Sequence, residues 1–316
     1  MKSPKILIFS TNDIVGGAAR GAYRIMNSTR EFGVSSKMVV LNKSSNHSTI
    51  IDFLSVNQNQ NFLFRQINKL VTKLKSKNQK IKWNKYPNKE NVYMSQTGLY
   101  SPSKILNTFD HDIVHLHWIS DGYLDFEKFK SINKPIVWTL HDSFPFTGGC
   151  HYFYACKKYQ DSCGNCPYLK SARENDLTRK TWMKKQKAYS RLNINLVSPS
   201  NWLADCARQS TLFKKFPVTV IPNCIETDVF KPLGKDFARN LFGLDLDKIF
   251  LLVGAMNLLT DSNKGFYFLK DALEILKQKS ELKIEILVLG SDQLKEDYLS
   301  GYKAHFLGQL YDDVSL

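Results

Sequence analysis

Histidines, cysteines and paired glycines are the residues of this 316-residue chain whose types and spacing could do chemistry. His115-Leu116-His117-Trp118 closes a short apolar run, and strand alternation would set both histidines on one face. A second run ends Trp138-Thr139-Leu140-His141-Asp142, so His141 and Asp142 stand where a strand hands over to its loop. A neutral imidazole there can donate to a ligand hydroxyl, and a carboxylate can hold its tautomer or accept from hydroxyls itself. The competing reading for each histidine is a buried ring bonded to backbone.

Two further corners favour anions. Gly16-Gly17 follows the first strand-like run and precedes a helical pattern, and Lys264-Gly265 stands in the same topological place later, after Gly254 and the loop 255–263. Free N–H groups at a helix start attract phosphate, glycine lets a backbone approach, and a neighbouring lysine suits a diphosphate. The spacing is not GxGxxG, so the dinucleotide fingerprint is not met. Facing each other across a linker, two such corners would hold a phosphorylated ligand between two lobes.

Cys150, Cys156, Cys163 and Cys166 are spaced C-x5-C-x6-C-x2-C. A CxxC with Gly164 inside suits a tight knuckle round Zn²⁺; two more thiolates complete a tetrahedron, with His151 as a substitute ligand. Such a loop would gain its order from the metal. Chance thiols, two disulfides and a redox CxxC are the rivals. The opening Met1-Lys2-Ser3-Pro4-Lys5 leads into a short apolar run without a secretory cleavage pattern, so a cytoplasmic location is expected and disulfides are disfavoured.

Strands are predicted at 5–10, 37–41, 112–116, 135–140, 193–198 and 218–222, with a helix at 18–32: an α/β chain with an open parallel sheet. A second set follows, with strands at 249–254, 283–289 and 304–307 and helices at 265–279 and 293–299. Only about 70 residues follow Asp245, roughly half a doubly wound domain, so the second lobe is expected to be incomplete. The connector from Ile221 to Pro232 separates a domain 1–222 from a domain 223–316. Net charge is +15, and residues 62–89 carry nine Lys/Arg and no acid, while 157–191 carry ten against three. An anionic surface or ligand is expected at those places. Within the first, Leu63, Ile67, Leu70, Val71 and Leu74 form a stripe beside Arg65, Lys69, Lys73 and Lys77. That is the composition of a helix on an anionic membrane, and equally of a surface helix packed on its own domain.

Several of these motifs, in order, resemble the family-four glycosyltransferases of GT-B fold. They are Gly16-Gly17-Ala18-Ala19-Arg20, Asp112-Ile113-Val114-His115-Leu116-His117-Trp118, Trp138 to Asp142 and Val197-Ser198-Pro199-Ser200-Asn201-Trp202. The connector Ile221-Pro222-Asn223-Cys224-Ile225, with Phe230 and Pro232, and Gly254 with Lys264-Gly265 complete the series. The His-Asp pair followed by the cysteine loop 150–167 is similar to a subgroup associated with bacterial surface-polysaccharide synthesis. The resemblance implies two Rossmann-like lobes, an acceptor-side domain and the first part of a nucleotide-sugar-binding domain. It implies a retaining hexosyl transfer from a UDP- or GDP-sugar to a glycan or lipid-linked acceptor hydroxyl, with no nucleic acid partner. Gly16 and Gly17 would lie over the donor phosphates or acceptor, and His141, with Asp142 beside it, near the reacting carbon. Lys264, with Gly265, would neutralise the departing diphosphate. No catalytic metal is implied, so zinc at the cysteines would be structural. The chain differs from the family pattern at Cys224, where a connector glycine is usual, and at Ala255-Met256, where an arginine is common. The family's two-glutamate donor motif would lie beyond Leu316, so little transfer is expected from these 316 residues alone.

Two other classes compete. A zinc-stabilised basic module binding nucleic acid through 62–89 and 157–191 explains the charge but not the paired corners. A nucleotide-sugar epimerase or a Rossmann oxidoreductase fits the α/β pattern. Against the oxidoreductase stand the missing GxGxxG and Leu41-Asn42, where an acid would end the second strand.

Overall fold

Leu7, Ile8 and Phe9 follow one another with no exposed side chain, so their strand is covered on both faces. The computed structural model describes residues 3–57, 62–90, 92, 98–254, 264–279, 281–290, 299–308 and 310. The elements are β1 (Lys5–Asn12), α1 (Gly17–Glu31), β2 (Ser35–Asn42), β3 (Ile50–Asp52), α2 (Phe53–Asn57), α3 (Phe62–Asn84) and α4 (Ser103–Thr108). Next come β4 (Ile113–Leu116), β5 (Ile136–Thr139), α5 (Leu177–Tyr189), β6 (Ile194–Ser198), α6 (Asn201–Gln209) and β7 (Val218–Val220). The last are α7 (Lys235–Leu241), β8 (Ile249–Gly254), α8 (Phe266–Lys279), β9 (Ile284–Leu289) and β10 (Ala304–Gly308).

Contacts divide the chain into two units, Met1–Cys224 and Ile225–Leu316. The first is built on a seven-stranded sheet of order β3-β2-β1-β4-β5-β6-β7. Every pairing in it is parallel. Its main core joins Leu7 and Phe9 of β1 to Val114, Ile136 and Leu196 of neighbouring strands and to a ring cluster of Trp138, Tyr189 and Phe213. On the other face Ile8, Met38 and Val40 pack under Ala22 and Met26 of α1. The second unit pairs β10-β9-β8 in parallel, with Phe266 and Leu273 of α8 closing over Ile286 and Val288. The expected loop 255–263 and all but the last residue of the expected helix 293–299 lie outside the described residues.

β3 was not expected. Three residues, Ile50-Ile51-Asp52, are too few to show alternation, and pairing with β2 makes them a strand. Half of the ten Lys/Arg in the second basic stretch are engaged within their own unit. Lys158 caps the carbonyls of Gly164 and Asn165, Lys170 pairs with Glu90, Arg179 with Glu174 and Lys184 with Glu127, while Lys185 is fully buried.

Helix α5 begins at a buried carboxylate. Asp176 accepts from the backbone N–H groups of Thr178 (2.8 Å) and Arg179 (3.2 Å), from the Thr178 hydroxyl (2.6 Å) and from the Cys166 N–H (2.9 Å). One side chain thus starts a helix and ties down the cysteine loop. Asp176→Ala strands these donors and is expected to cost about 3 kcal/mol, read as a lower urea midpoint at unchanged slope.

Candidate functional site

In the larger sheet the chain runs outward from β1 through β2 to β3, then returns to β4 and proceeds to β7. The β1/β4 boundary is therefore the switch point, and a crevice opens beyond the C-terminal strand ends there. Asp13, just past β1, is fully buried and accepts from the Ser44 N–H (2.9 Å) and hydroxyl (2.6 Å), the Ser45 N–H (2.7 Å) and the Ile14 N–H (2.9 Å). Burial alone would raise its carboxyl, but these bonds outweigh burial and hold it down to about 2. Asp13 thus pins the β1–α1 turn to the segment after β2. At the top of that turn Gly16 has φ 91°, a left-handed backbone that favours glycine. A Cβ added at Gly16 or Gly17 would meet nothing within 4 Å, and the first turn of α1 holds no acid. The positive end of α1 is open to an anion.

Behind the turn lie three imidazoles. His115 and His117, two apart on the β4 side, have ring centroids 4.3 Å apart; His117 stacks on His141 at 5.2 Å and 29°. His115 Nε2 meets Thr139 Oγ1 at 2.9 Å, and His117 Nδ1 meets His141 Nε2 at 2.9 Å. Burial holds His115 and His141 down to about 4, and burial followed by its two ring neighbours holds His117 well below the usual range. All three are neutral at pH 7. The His117–His141 contact therefore uses one N–H, and His141 Nδ1 takes the complementary role: donor if His117 donates, acceptor if it accepts. Helix α1 passes over this ring, since a methyl at Gly21 would lie 3.5 Å from His141 Cε1. The connector's Asn223 reaches the same point, its Oδ1 3.9 Å from that position.

Asp142 turns away from the imidazoles. Its Oδ2 accepts from Trp118 Nε1 (2.8 Å) and its Oδ1 from the Phe144 N–H (2.9 Å). Burial pushes the carboxyl up to about 6 against those bonds and the charge of Lys185. Lys185 is wholly buried, and its Nζ donates to the carbonyls of Phe144 and Thr147 and lies 3.6 Å over the Phe144 ring. Burial brings it down to about 7, opposed by Asp142 and the thiols of Cys163 and Cys150. Sequence reasoning missed Asp13, Lys185 and Asn223 as site residues. Lys185 had a signal: it continues the buried row Thr178, Thr181, Trp182, Tyr189 on one face of α5.

Cys150 and Cys166 pack with Leu169, Cys163 packs against the main core, and all four loop cysteines are free thiols. Cys150 shares a hydrogen bond with Cys166, which raises Cys150 and lowers Cys166. Backbone N–H groups of Leu169 and Tyr168 also donate to Cys166, that of Lys158 to Cys156, and that of Gly148 to Cys163 at 3.2 Å. Burial pushes Cys163 up to about 12. Among the described residues, no group of three or more His, Cys, Asp or Glu is drawn together as a metal site. In the second unit, Lys264 and Gly265 (φ 71°) stand at the start of α8, where the Leu269 N–H bonds the Gly265 carbonyl at 3.1 Å.

Neutral imidazoles make stability acid-sensitive. From pH 6.5 to 4 the unfolded chain takes up protons at three histidines that the folded chain refuses, so stability falls with falling pH. Asp142 acts oppositely between 3.8 and 6, offsetting one of the three. His115→Gln is expected to flatten unfolding free energy against pH by about 1.4 kcal/mol per pH unit near pH 5, measured by urea titration.

The sequence model of Glycosyltransferase Family 4 matches residues 15–229. A search of curated proteins returns no match. Among solved structures, a glycosyltransferase from Rickettsia africae matches with a TM-score of 0.52 at 14% identity, over 100% of this chain and 70% of that one. WaaG, a glycosyltransferase involved in lipopolysaccharide biosynthesis, matches at 0.51 and 13%, over 98% of this chain and 71% of that one. At such identities the likeness is one of fold, and both neighbours are glycosyltransferases. The family match spans most of the chain, the turn before α1, the three histidines and the cysteine loop included, and this chain belongs to Glycosyltransferase Family 4.

Proposed function

We propose that the chain serves the retaining transfer of a sugar from a UDP- or GDP-sugar to a hydroxyl of a glycan or lipid-linked acceptor, in the making of a surface polysaccharide. The observation that carries this is a neutral His141 against Gly21 of α1, the helix whose Gly16-Gly17 start is open, at the switch point of a parallel sheet. A neutral ring offers a hydrogen bond to a sugar oxygen without a competing charge, while the helix end attracts phosphate. His141 contacts the donor sugar near the reacting carbon, and Asp142 fixes the loop from which it projects. Gly16 and Gly17 give the ligand room, and Lys264 with Gly265 balances the charge of the leaving diphosphate. The lipopolysaccharide role of WaaG supports a glycan acceptor. Sugar transfer to lipid-linked glycan acceptors, assayed with a panel of UDP- and GDP-sugars and expected to be slow from these 316 residues, is the reference rate against which the roles are tested. His141→Ala is expected to lower kcat about 10²–10³-fold with little change in KM. An unchanged kcat would remove His141 from the chemistry.

The thiol cluster is proposed to hold a structural Zn²⁺ through Cys150, Cys156, Cys163 and Cys166, with a small closure of the loop. Support comes from the N–H donors aimed at Cys166, Cys156 and Cys163, which stabilise thiolates, and from the lowered Cys166. Metal analysis of freshly purified, reduced protein should find about one equivalent of zinc, released by Cys163→Ser together with a drop in Tm. Less than about half an equivalent would leave the cluster a set of packed thiols.

A further inference from the structure

We propose that α3 docks this protein on an anionic lipid surface through an apolar stripe that its own domain leaves uncovered. This inference does not depend on the transferase reading. The helix packs in an inverted way. Thr72, Lys75, Ser76, Gln79 and Trp83, spaced as one helical row, are its half-buried positions. Lys75 pairs with Asp125 at 3.1 Å, and Trp83 packs on the cluster of Cys150, Cys166 and Leu169. The apolar row points elsewhere: Ile67, Leu70, Val71, Leu74 and Ile81 are 54, 58, 45, 57 and 52% exposed. At 3.6 residues per turn they share an arc of about 100° and run about 21 Å along the axis. Lys77 borders that arc on one side and Lys82 on the other, with Lys73 and Lys80 farther round, all exposed.

Charge decides the occupant. The helix carries seven Lys/Arg and no acid. A second copy would bring two such helices together along their apolar stripes with no acid to compensate, which disfavours self-association. A plane of anionic headgroups over hydrocarbon meets both features together: lysines at the phosphates, Leu and Ile side chains below them. The other basic stretch, 157–191, is the weaker candidate, because five of its ten Lys/Arg serve internal pairs and carbonyls. Among the described residues no helix is long and apolar enough to cross a membrane, so this contact would be a surface one.

Co-sedimentation of the full chain with vesicles tests this, using phosphatidylcholine alone and phosphatidylcholine with about 30% phosphatidylglycerol near 0.1 M salt. Binding is expected at least tenfold stronger to the anionic vesicles, and weakened at least tenfold both by L70D/L74D and by K73Q/K77Q/K80Q. K170Q/K180Q in the other basic stretch is expected to bind as the parent does. The substituted positions are exposed, so unchanged circular dichroism and Tm will show that the variants fold. A parent chain that stays in the supernatant, or an L70D/L74D variant that binds undiminished, would overturn the proposal. So would a concentration-dependent dimer abolished by L70D/L74D without vesicle binding, which would give the stripe to a second copy.

Discussion

A lysine ammonium cut off from water fixes the geometry of the larger unit's working edge. Lys185 is 0% exposed and reaches the carbonyls of Phe144 and Thr147. The carbonyls between them are met as well: Tyr189 donates to Pro145 at 3.3 Å and Ser210 to Phe146 at 2.7 Å. Four consecutive carbonyls thus point into the core, and each finds a side-chain donor from α5 or the end of α6. Unmet, each would carry a desolvation penalty of about 1–3 kcal/mol. These four bonds hold the segment after β5, and His141 and Asp142 are where it leaves the strand. Burial brings Lys185 down to about 7 and pushes Asp142 up to about 6, and the charge of each opposes the shift of the other.

The cysteine loop hangs from the same segment. The Cys150 carbonyl accepts from Ser143 (3.1 Å) and Thr147 (2.7 Å), and the Cys166 N–H is held by Asp176 at the start of α5. Order in this loop therefore has a source besides the metal that the sequence reading expects to organise it. The helix carrying Lys185 also carries the cap for the loop, so the edge of the sheet and the loop behind it form one hydrogen-bonded body.

Strands were legible in the sequence because a parallel sheet buried on both faces demands continuous apolar runs, as in Ile6-Leu7-Ile8-Phe9 and Ile136-Val137-Trp138. The adjacency of His115 and His117 followed from strand alternation, but their stacking against His141 depends on β4–β5 register, which no local pattern carries. Asp13 was illegible because its partners, Ser44 and Ser45, lie some thirty residues away and are polar residues of a kind common in loops. Lys185 was concealed by arithmetic: a count of charges over 157–191 weighs a buried lysine like an exposed one. Periodicity found α3 as a helix yet could not tell which row faces inward. The anchors are Trp83 and the Lys75–Asp125 pair, set against an apolar row that is more hydrophobic but unpaired.

The proposed site would separate two kinds of recognition. Anion attraction would come from the N-terminus of α1, a backbone feature that does not titrate, with Arg20 and Arg24 in the same helix. Hydroxyl recognition, on the proposed reading, would fall to imidazoles that burial keeps uncharged. Had the three rings been charged, they would repel one another within about 5 Å in a low-dielectric pocket and draw phosphate to the wrong side of the turn. Neutrality lets the rings pack together, and the packing in turn excludes the water that would charge them. A ligand with a diphosphate at one end and a polyhydroxyl ring at the other would suit that proposed division better than a polyanion with charge spread evenly along its length.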